Sequence, residues 1–246
     1  TSALMHLHTL GLLGPRMTVG HGVWLTAKDI ELAAETGTNI CHNCSSNLRL
    51  RSGIAPLNRF EECGIRVGIG IDEAGINDDC DMLQEMRLVL KLHREPGVDD
   101  AVPTSEQVLR MGTEHGARTT PFGATIGTLE AGKAADMVLM KWDQIARPYL
   151  DPDISVIDAV LHRAKTTGVD TVLVGGTPIL REGRIVGVNK KEVLKELAAS
   201  LGMPLNDVER QRRDLSRQLY EPVKKYWEDC LEEETRDPFY RMNSKT

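Results

Sequence analysis

Three short apolar runs near the start of the chain each end on a polar, chemically capable side chain. They span residues 17–21, 38–42 and 66–72 and end on His21, His42 and Asp72. Each is followed by a polar or glycine-containing loop and a helix-like segment, which is the pattern of a parallel α/β fold. The carboxyl ends of parallel strands meet at one edge of the sheet, where such folds assemble their chemistry. The pattern therefore predicts that these three side chains gather at that edge.

Asp72 is the most informative of the three, because packing alone rarely ends a buried strand on an acid. Side chains alternate between two faces of a strand, so the branched residues of 67–71 share one face and the glycines share the other with Asp72. The face with the branched side chains is suited to packing against helices that cover the sheet. The glycines are expected to leave room beneath the carboxylate, which would then point into a barrel mouth. The alternative is that Asp72 merely caps the next helix.

Helices are predicted between and after these strands. They cover residues 3–13, 26–37, 56–63, 82–93 and 104–116. Thr26 and Thr104 each open a capping box, with Asp29 and Gln107 three residues on. Residues 43–56 are expected to form a long loop at the catalytic edge.

The pattern of apolar and polar residues changes near residue 124. Short β-like runs separated by glycine turns follow, with Glu182-Gly183 as a hairpin turn, and then helices at 190–201 and from 206 to about Cys230. The sequence therefore predicts three parts. These are residues 1–123, a segment of a small β-domain at 124–188, and C-terminal helices with a polar tail at 189–246.

Composition narrows the function classes. The net charge is −6 with no basic patch, which argues against nucleic acid as a partner. No apolar run is long enough to cross a bilayer and there is no signal-like start, so we expect no membrane partner and a cytoplasmic location. Five cysteines, an odd number, fit a reducing compartment. The chain starts at Thr1 within a helical pattern, which suggests that part of the natural protein lies upstream. Assembly into a homo-oligomer is left open.

The order of these motifs resembles the amidohydrolase superfamily. The likeness rests on His21, on His42 with Ser46-Asn47 and the Gly-Ile-Ala-Pro segment 53–56, on the strand ending at Asp72, and on residues 81–87. Within the superfamily, it is to cytosine, guanine and adenosylhomocysteine deaminases and s-triazine hydrolases. The resemblance implies an α/β fold in which the chain supplies strands six to eight of a (β/α)8 barrel. Residues 126–138 are similar to the return from that barrel to a small β-sandwich domain.

The resemblance also implies roles for particular residues. Asp72 would bind the catalytic metal and take a proton from the metal-bound water, and His21 would hydrogen-bond the attacking hydroxide. His42, Asn47 and Glu73 would contact substrate, although Glu73 stands where the family has glycine and is alternatively turned to solvent. The metal would be divalent, zinc first and ferrous iron second, and would lower the pKa of its bound water. The reaction would be hydrolytic loss of ammonia or another leaving group from a small nitrogen heterocycle.

Two family motifs are not found in the expected places. These are an HxH pair after the first barrel strand and an HxxE after the fifth. His6 and His8 spell HxH, but residues two apart on a helix lie about 200° around its axis and cannot share an ion. Two functional classes therefore remain. One is a metal-dependent hydrolase of carbon–nitrogen bonds, and the other is a non-catalytic scaffold or subunit that keeps the fold.

The remaining histidines and cysteines are expected to be structural. The Cys41–Cys44 spacing is CxxC, but zinc knuckles need a second ligand pair, and redox CxxC pairs open a helix whereas this one is expected to enter a loop. His93, His115 and His162 lie in helix-like segments with no ligand partner in register.

Overall fold

The structure is a computed structural model that describes residues 2–73, 75–76, 79–98 and 102–228. The predicted end of the last helix at Cys230 and the polar tail lie outside these residues, as do positions 74, 77 and 78 of the loop after Asp72. The chain divides into two compact units, one that extends to Val186 and one that begins at Gly187.

Three parallel strands form the first sheet of the larger unit. They are β1 (Thr18–Gly20), β2 (Asn39–His42) and β3 (Val67–Ile69), in the order β1-β2-β3. Gly20 lies opposite Cys41, and Cys41 lies opposite Gly68. The carboxyl ends of all three strands therefore lie at one edge, and the predicted parallel α/β arrangement is confirmed.

Seven helices precede, connect or follow these strands within the described residues up to 118. They are α1 (Ala3–Thr9), α2 (Ala27–Thr36), α3 (Cys44–Arg49), α4 (Leu57–Glu62), α5 (Met82–Leu92), α6 (Ser105–Met111) and α7 (Glu114–Arg118). Both predicted capping boxes are present, at the start of α2 and of α6. Asp81 caps α5 by accepting hydrogen bonds from the backbone N–H groups of Leu83 and Gln84.

Three predicted boundaries were wrong. The expected loop at 43–56 contains α3, which begins directly after β2 and is followed by extended chain. The first helix ends at Thr9 instead of residue 13, because Gly11 takes a left-handed backbone conformation with φ 69°. The predicted helix 104–116 is two helices, broken where Thr113 leaves the helical region at φ −131° and ψ −89°.

An antiparallel sheet lies later in the same unit. Its strands are β4 (Met137–Met140), β5 (Val169–Val174), β6 (Thr177–Arg181) and β7 (Arg184–Ile185), paired in that order. The predicted Glu182-Gly183 turn is confirmed, with φ 51° and 73° at its two residues, the positive values that two-residue hairpin turns favour.

Helices α8 (Trp142–Ala146) and α9 (Val156–Arg163) join the antiparallel sheet segment to the main core. Ile145, Ala159 and Leu161 are buried in the same apolar cluster as Leu90 of α5. Arg87 of α5 donates from Nε to the carbonyl oxygen of Leu161 at 2.9 Å. Side chains from both sides of residue 124 share this core. The predicted domain boundary at that residue stays a prediction.

The unit that begins at Gly187 contains α10 (Lys190–Leu201) and α11 (Asp207–Glu228). The predicted helix 190–201 is therefore confirmed. Within the described residues, no helix combines the length and the apolar character that a membrane span requires.

Candidate active site

His21 and Asp72 converge at the carboxyl edge of the parallel strands. His21 directly follows β1, and Asp72 lies three residues after the end of β3. Both residues have left-handed backbones, with φ 66° and 63°. His and Asp adopt this conformation more readily than most residues, and such strain is concentrated at functional sites. The two turns bring His21 Nε2 to 3.6 Å from Asp72 Oδ2, with the side chains 41% and 25% exposed.

Two consecutive residues of α3 hold this pair in place. Ser46 Oγ donates to Asp72 Oδ2 at 2.6 Å, and Asn47 Oδ1 lies 2.8 Å from His21 Nδ1. Both α3 residues are buried, at 0% and 1% exposure. An amide oxygen can only accept, so with Asn47 assigned in this orientation His21 Nδ1 carries a proton. In the neutral imidazole, Nε2 then presents its lone pair on the side of Asp72.

The glycine face of β3 is closely packed, which corrects the expectation of open room beneath Asp72. A Cβ at Gly70 would clash with Asn43 Oδ1 and lie 2.8 Å from Cys41 Sγ. A Cβ at Gly68 would lie 3.1 Å from the Cα of Gly116 in α7. The glycines thus allow neighbouring elements to approach β3, and this close approach fixes the strand that ends near Asp72.

His42 lies apart from this pair, on the helix-facing side of β2. Its side chain is 1% exposed, and its Nε2 is 2.9 Å from Nε2 of His93, which caps the end of α5. His93, for which we expected no ligand partner in register and a structural role, thus has a buried neighbour from another element. Burial, followed by the proximity of His93 and then His21, lowers the pKa of His42 to about 3, and burial lowers that of His93 to about 4. Substrate contact by His42 stays a prediction, and this burial counts against it.

The CxxC segment opens a helix, contrary to the sequence-based expectation. Cys44 is the first residue of α3, directly after the strand that contains Cys41. Burial, followed by the charge of Glu85, raises the pKa of the Cys44 thiol to about 12. Burial, followed by the charge of Asp72, also raises the pKa of Cys41. Reactive redox cysteines have depressed pKa values, so thiol chemistry, and not the local fold, argues against a redox pair.

The other predicted residues lie at the surface. Glu73 is exposed, its side chain lies over Gly75, and its substrate contact stays a prediction. His6 and His8 are exposed on α1, and the prediction that they lie on a helix is confirmed. Sequence reasoning gave no role to Ser46. The Ser46-Asn47 motif was recognised in the sequence. The contact of Ser46 with Asp72 depends on helix α3, which was not predicted.

The strand-edge pair fits one side of a divalent metal site. Asp72 offers carboxylate oxygens, which are ligands for such ions. Ser46 and His21 both approach Oδ2, which leaves Oδ1 as the oxygen that neither of them contacts. Among the described residues, the one group of three His, Cys, Asp or Glu donors close enough to share an ion is elsewhere, at His42, Cys44 and His93. The prediction that Asp72 binds a metal would therefore require further ligands besides the described groups at this edge.

Comparison with known proteins identifies the family. Residues 1–179 match the model of the amidohydrolase family, so the chain belongs to that family. A 5-methylthioadenosine/S-adenosylhomocysteine deaminase from Syntrophobacter fumaroxidans is 34% identical over 192 residues, which are 78% of this chain and 43% of the relative. The chain thus spans less than half the length of that relative.

Solved structures agree with this assignment. An adenosine deaminase from Xanthomonas campestris with bound zinc matches with a TM-score of 0.69 and 27% identity, over 87% of this chain and 46% of that one. Atrazine chlorohydrolase from Arthrobacter aurescens, complexed with zinc, matches with a TM-score of 0.74 and 24% identity, over 81% and 44%. The second likeness is one of fold alone. The predicted amidohydrolase superfamily is confirmed, and the matching relatives are deaminases of the predicted branch.

Proposed function

We propose that this chain is part of a metal-dependent hydrolase that replaces an amino group on a nitrogen heterocycle with oxygen from water and releases ammonia. The observation that carries the proposal is the convergence of His21 and Asp72 at the strand edge, with each side chain held by a buried residue of α3. Membership of the amidohydrolase family supports the same reaction class.

The fold supports a particular place for the three parallel strands. We infer that β1, β2 and β3 are strands six to eight of a (β/α)8 barrel, and that the antiparallel sheet belongs to a small β-sandwich domain. In such barrels the active site lies at the carboxyl ends of the strands, where His21 and Asp72 lie. The other strands, the HxH pair and the HxxE would then come from the remainder of the complete protein.

The proposed roles follow from which atoms face one another. Asp72, together with ligands from the rest of the protein, would hold a divalent ion, zinc or ferrous iron, which would supply a lowered pKa to a bound water. The carboxylate of Asp72 would accept a proton from the attacking water. His21 directs Nε2 toward the attacking oxygen, because Asn47 engages Nδ1. Ser46 fixes the carboxylate of Asp72 by donating to Oδ2, which restricts its rotation.

The names of the relatives narrow the substrate. The relative with 34% identity is named for two adenosine derivatives, and the zinc-bound structure is an adenosine deaminase. We propose a 6-aminopurine nucleoside as the substrate class. Asn47 is buried and contacts His21 Nδ1, which supports a role that acts through His21, and its substrate contact stays a prediction.

A non-catalytic scaffold is the second candidate. It is favoured by the ligand set, since the described strand edge brings together no three His, Cys, Asp or Glu donors close enough to share an ion. The two candidates differ in one measurement, which is ammonia release by the complete protein from a panel of adenosine derivatives, guanine, cytosine and triazines. The hydrolase proposal predicts turnover of at least one adenosine derivative, reduced by about two to three orders of magnitude in His21→Ala. A metal-loaded complete protein that is inactive on the whole panel supports the scaffold.

A further inference from the structure

A second cluster of metal-ligating side chains lies away from the strand edge. His42, Cys44 and His93 each offer one ligand atom, and these atoms all lie within 4.8 Å of one another. All three side chains are buried, at 1%, 1% and 6% exposure. The cluster lies on the helix-facing side of β2. It is therefore separate from the position at which Asp72 would bind the catalytic ion.

Three different elements supply the cluster. His42 ends β2, Cys44 begins α3, and His93 caps the end of α5. The main chain holds both histidines, since the His42 carbonyl accepts from Gly70 N–H at 3.0 Å and the His93 N–H donates to the Val89 carbonyl at 3.3 Å. The backbone of these two ligands is thus ordered before any ion binds, which reduces the ordering cost of binding.

The contacts within the cluster leave one polar atom unexplained. His42 and His93 share a single N···N hydrogen bond of 2.9 Å, and their rings meet edge to face with centroids 5.0 Å apart. His42 Nδ1 is completely buried with no hydrogen-bond partner among the described residues. A buried polar atom in this state costs about 1–3 kcal/mol, so packing alone does not account for a histidine here.

We propose that His42, Cys44 and His93 form a buried structural zinc site. Two imidazole nitrogens and a thiolate sulfur are ligands that zinc prefers. Tetrahedral ligands at the usual Zn–N and Zn–S lengths lie about 3.3–3.7 Å apart. The present separations of up to 4.8 Å therefore require shifts on the order of 1 Å. Binding releases the proton of the Cys44 thiol, and coordination through His42 Nδ1 gives this buried atom the partner that it lacks.

The site has a structural consequence for the proposed active site. A zinc ion bound here links β2, α3 and α5 at the first residue of α3. Two and three residues further along α3, Ser46 and Asn47 hold Asp72 and His21. The proposed zinc ion thus fixes the helix from which both catalytic side chains are positioned. It has no exposed ligand, so it does not contact substrate.

The test uses the complete protein loaded with zinc or, after exchange, with Co²⁺. We expect a sulfur ligand in zinc-edge X-ray absorption of the wild type, and a thiolate-to-cobalt charge-transfer band in the cobalt form. Cys44→Ser should lose the band and one equivalent of metal, whereas the control Cys63→Ser, which replaces a half-buried cysteine outside the cluster, should keep both.

The catalytic site proposed above contains no thiol, so these signals report on the second site alone. Absence of ammonia release with the band present would overturn the proposed function and leave the second site intact. Absence of a sulfur ligand in the metal-loaded wild type would overturn the second site, and this measurement does not require Cys44→Ser to fold. Retention of the band in Cys44→Ser would also overturn it.

Discussion

Asn47→Ala tests whether this residue positions His21 or binds substrate. The change removes the 2.8 Å contact with His21 Nδ1 at a residue that is 1% exposed. Loss of a buried hydrogen bond that leaves its partner unsatisfied costs about 1–3 kcal/mol. At about 1.4 kcal/mol per factor of ten, kcat should fall by roughly 10- to 100-fold, because His21 loses its preferred proton position and orientation.

The assay is steady-state ammonia release by the complete protein, with kcat and KM measured separately. KM should stay close to that of the wild type, since Asn47 lies behind His21. Asn47→Asp keeps an oxygen acceptor and should recover part of kcat. Asn39→Ala is the matched control. Asn39 is also a buried asparagine, but it lies at the opposite end of β2 and donates to the Pro15 carbonyl oxygen at 3.0 Å.

Two results would refute this reasoning. An unchanged kcat with a raised KM in Asn47→Ala would show that Asn47 binds substrate, as the sequence alone suggested. An equal fall of kcat in Asn39→Ala would show that general destabilisation, and not the orientation of His21, limits the rate.

Three further predictions concern packing, pH and completeness. Gly70→Ala should destabilise the complete protein by about 1–3 kcal/mol in denaturant unfolding and lower kcat, since its Cβ would clash with Asn43 and displace the strand before Asp72. Burial raises the pKa of Glu61 against the opposing effect of Arg110, so folded Glu61 holds its proton to higher pH than the unfolded chain does. The stability that this proton contributes is lost as pH rises through the pKa of folded Glu61. Glu61→Gln should therefore raise the unfolding temperature at pH values above that pKa, but not at pH values below 4.5. Residues 1–246 expressed alone should aggregate or oligomerise and release no ammonia, because β1 and β3 would present unpaired edges.

Each of these predictions has a result that would contradict it. Gly20→Ala is the control for Gly70→Ala, because a Cβ at Gly20 meets nothing within 4 Å, and equal losses in both variants would contradict the packing account. A Glu61→Gln protein with the same pH dependence as the wild type would show that Glu61 is not the responsible group. A soluble, active monomer of residues 1–246 would refute the proposed incompleteness.

The sequence predicted the positions of the three strands because the relevant signals are local. The branched run that leads to Asp72 can be recognised without knowledge of its neighbours, although the strand itself ends earlier, at Ile69. The caps at Thr26 and Thr104 likewise depend on residues only three positions apart, and both are present.

The contacts that hold the candidate site could not be predicted in the same way. Helix α3 has six residues and, unlike α4 of the same length, no proline at its start, so Ser46 and Asn47 were assigned to a loop. The pairing of His42 with His93 joins residues 51 positions apart in sequence. Such contacts are set by where α5 packs in the folded chain, which no local pattern encodes.

The most direct test of the central claim is the zinc content and ammonia release of Asp72→Asn in the complete protein. Asparagine is a poorer ligand and cannot accept the proton of the attacking water. We predict loss of the catalytic zinc and turnover at background, while the thiolate-to-cobalt band of the second site persists. An Asp72→Asn protein with normal zinc content and a rate close to that of the wild type would contradict the account.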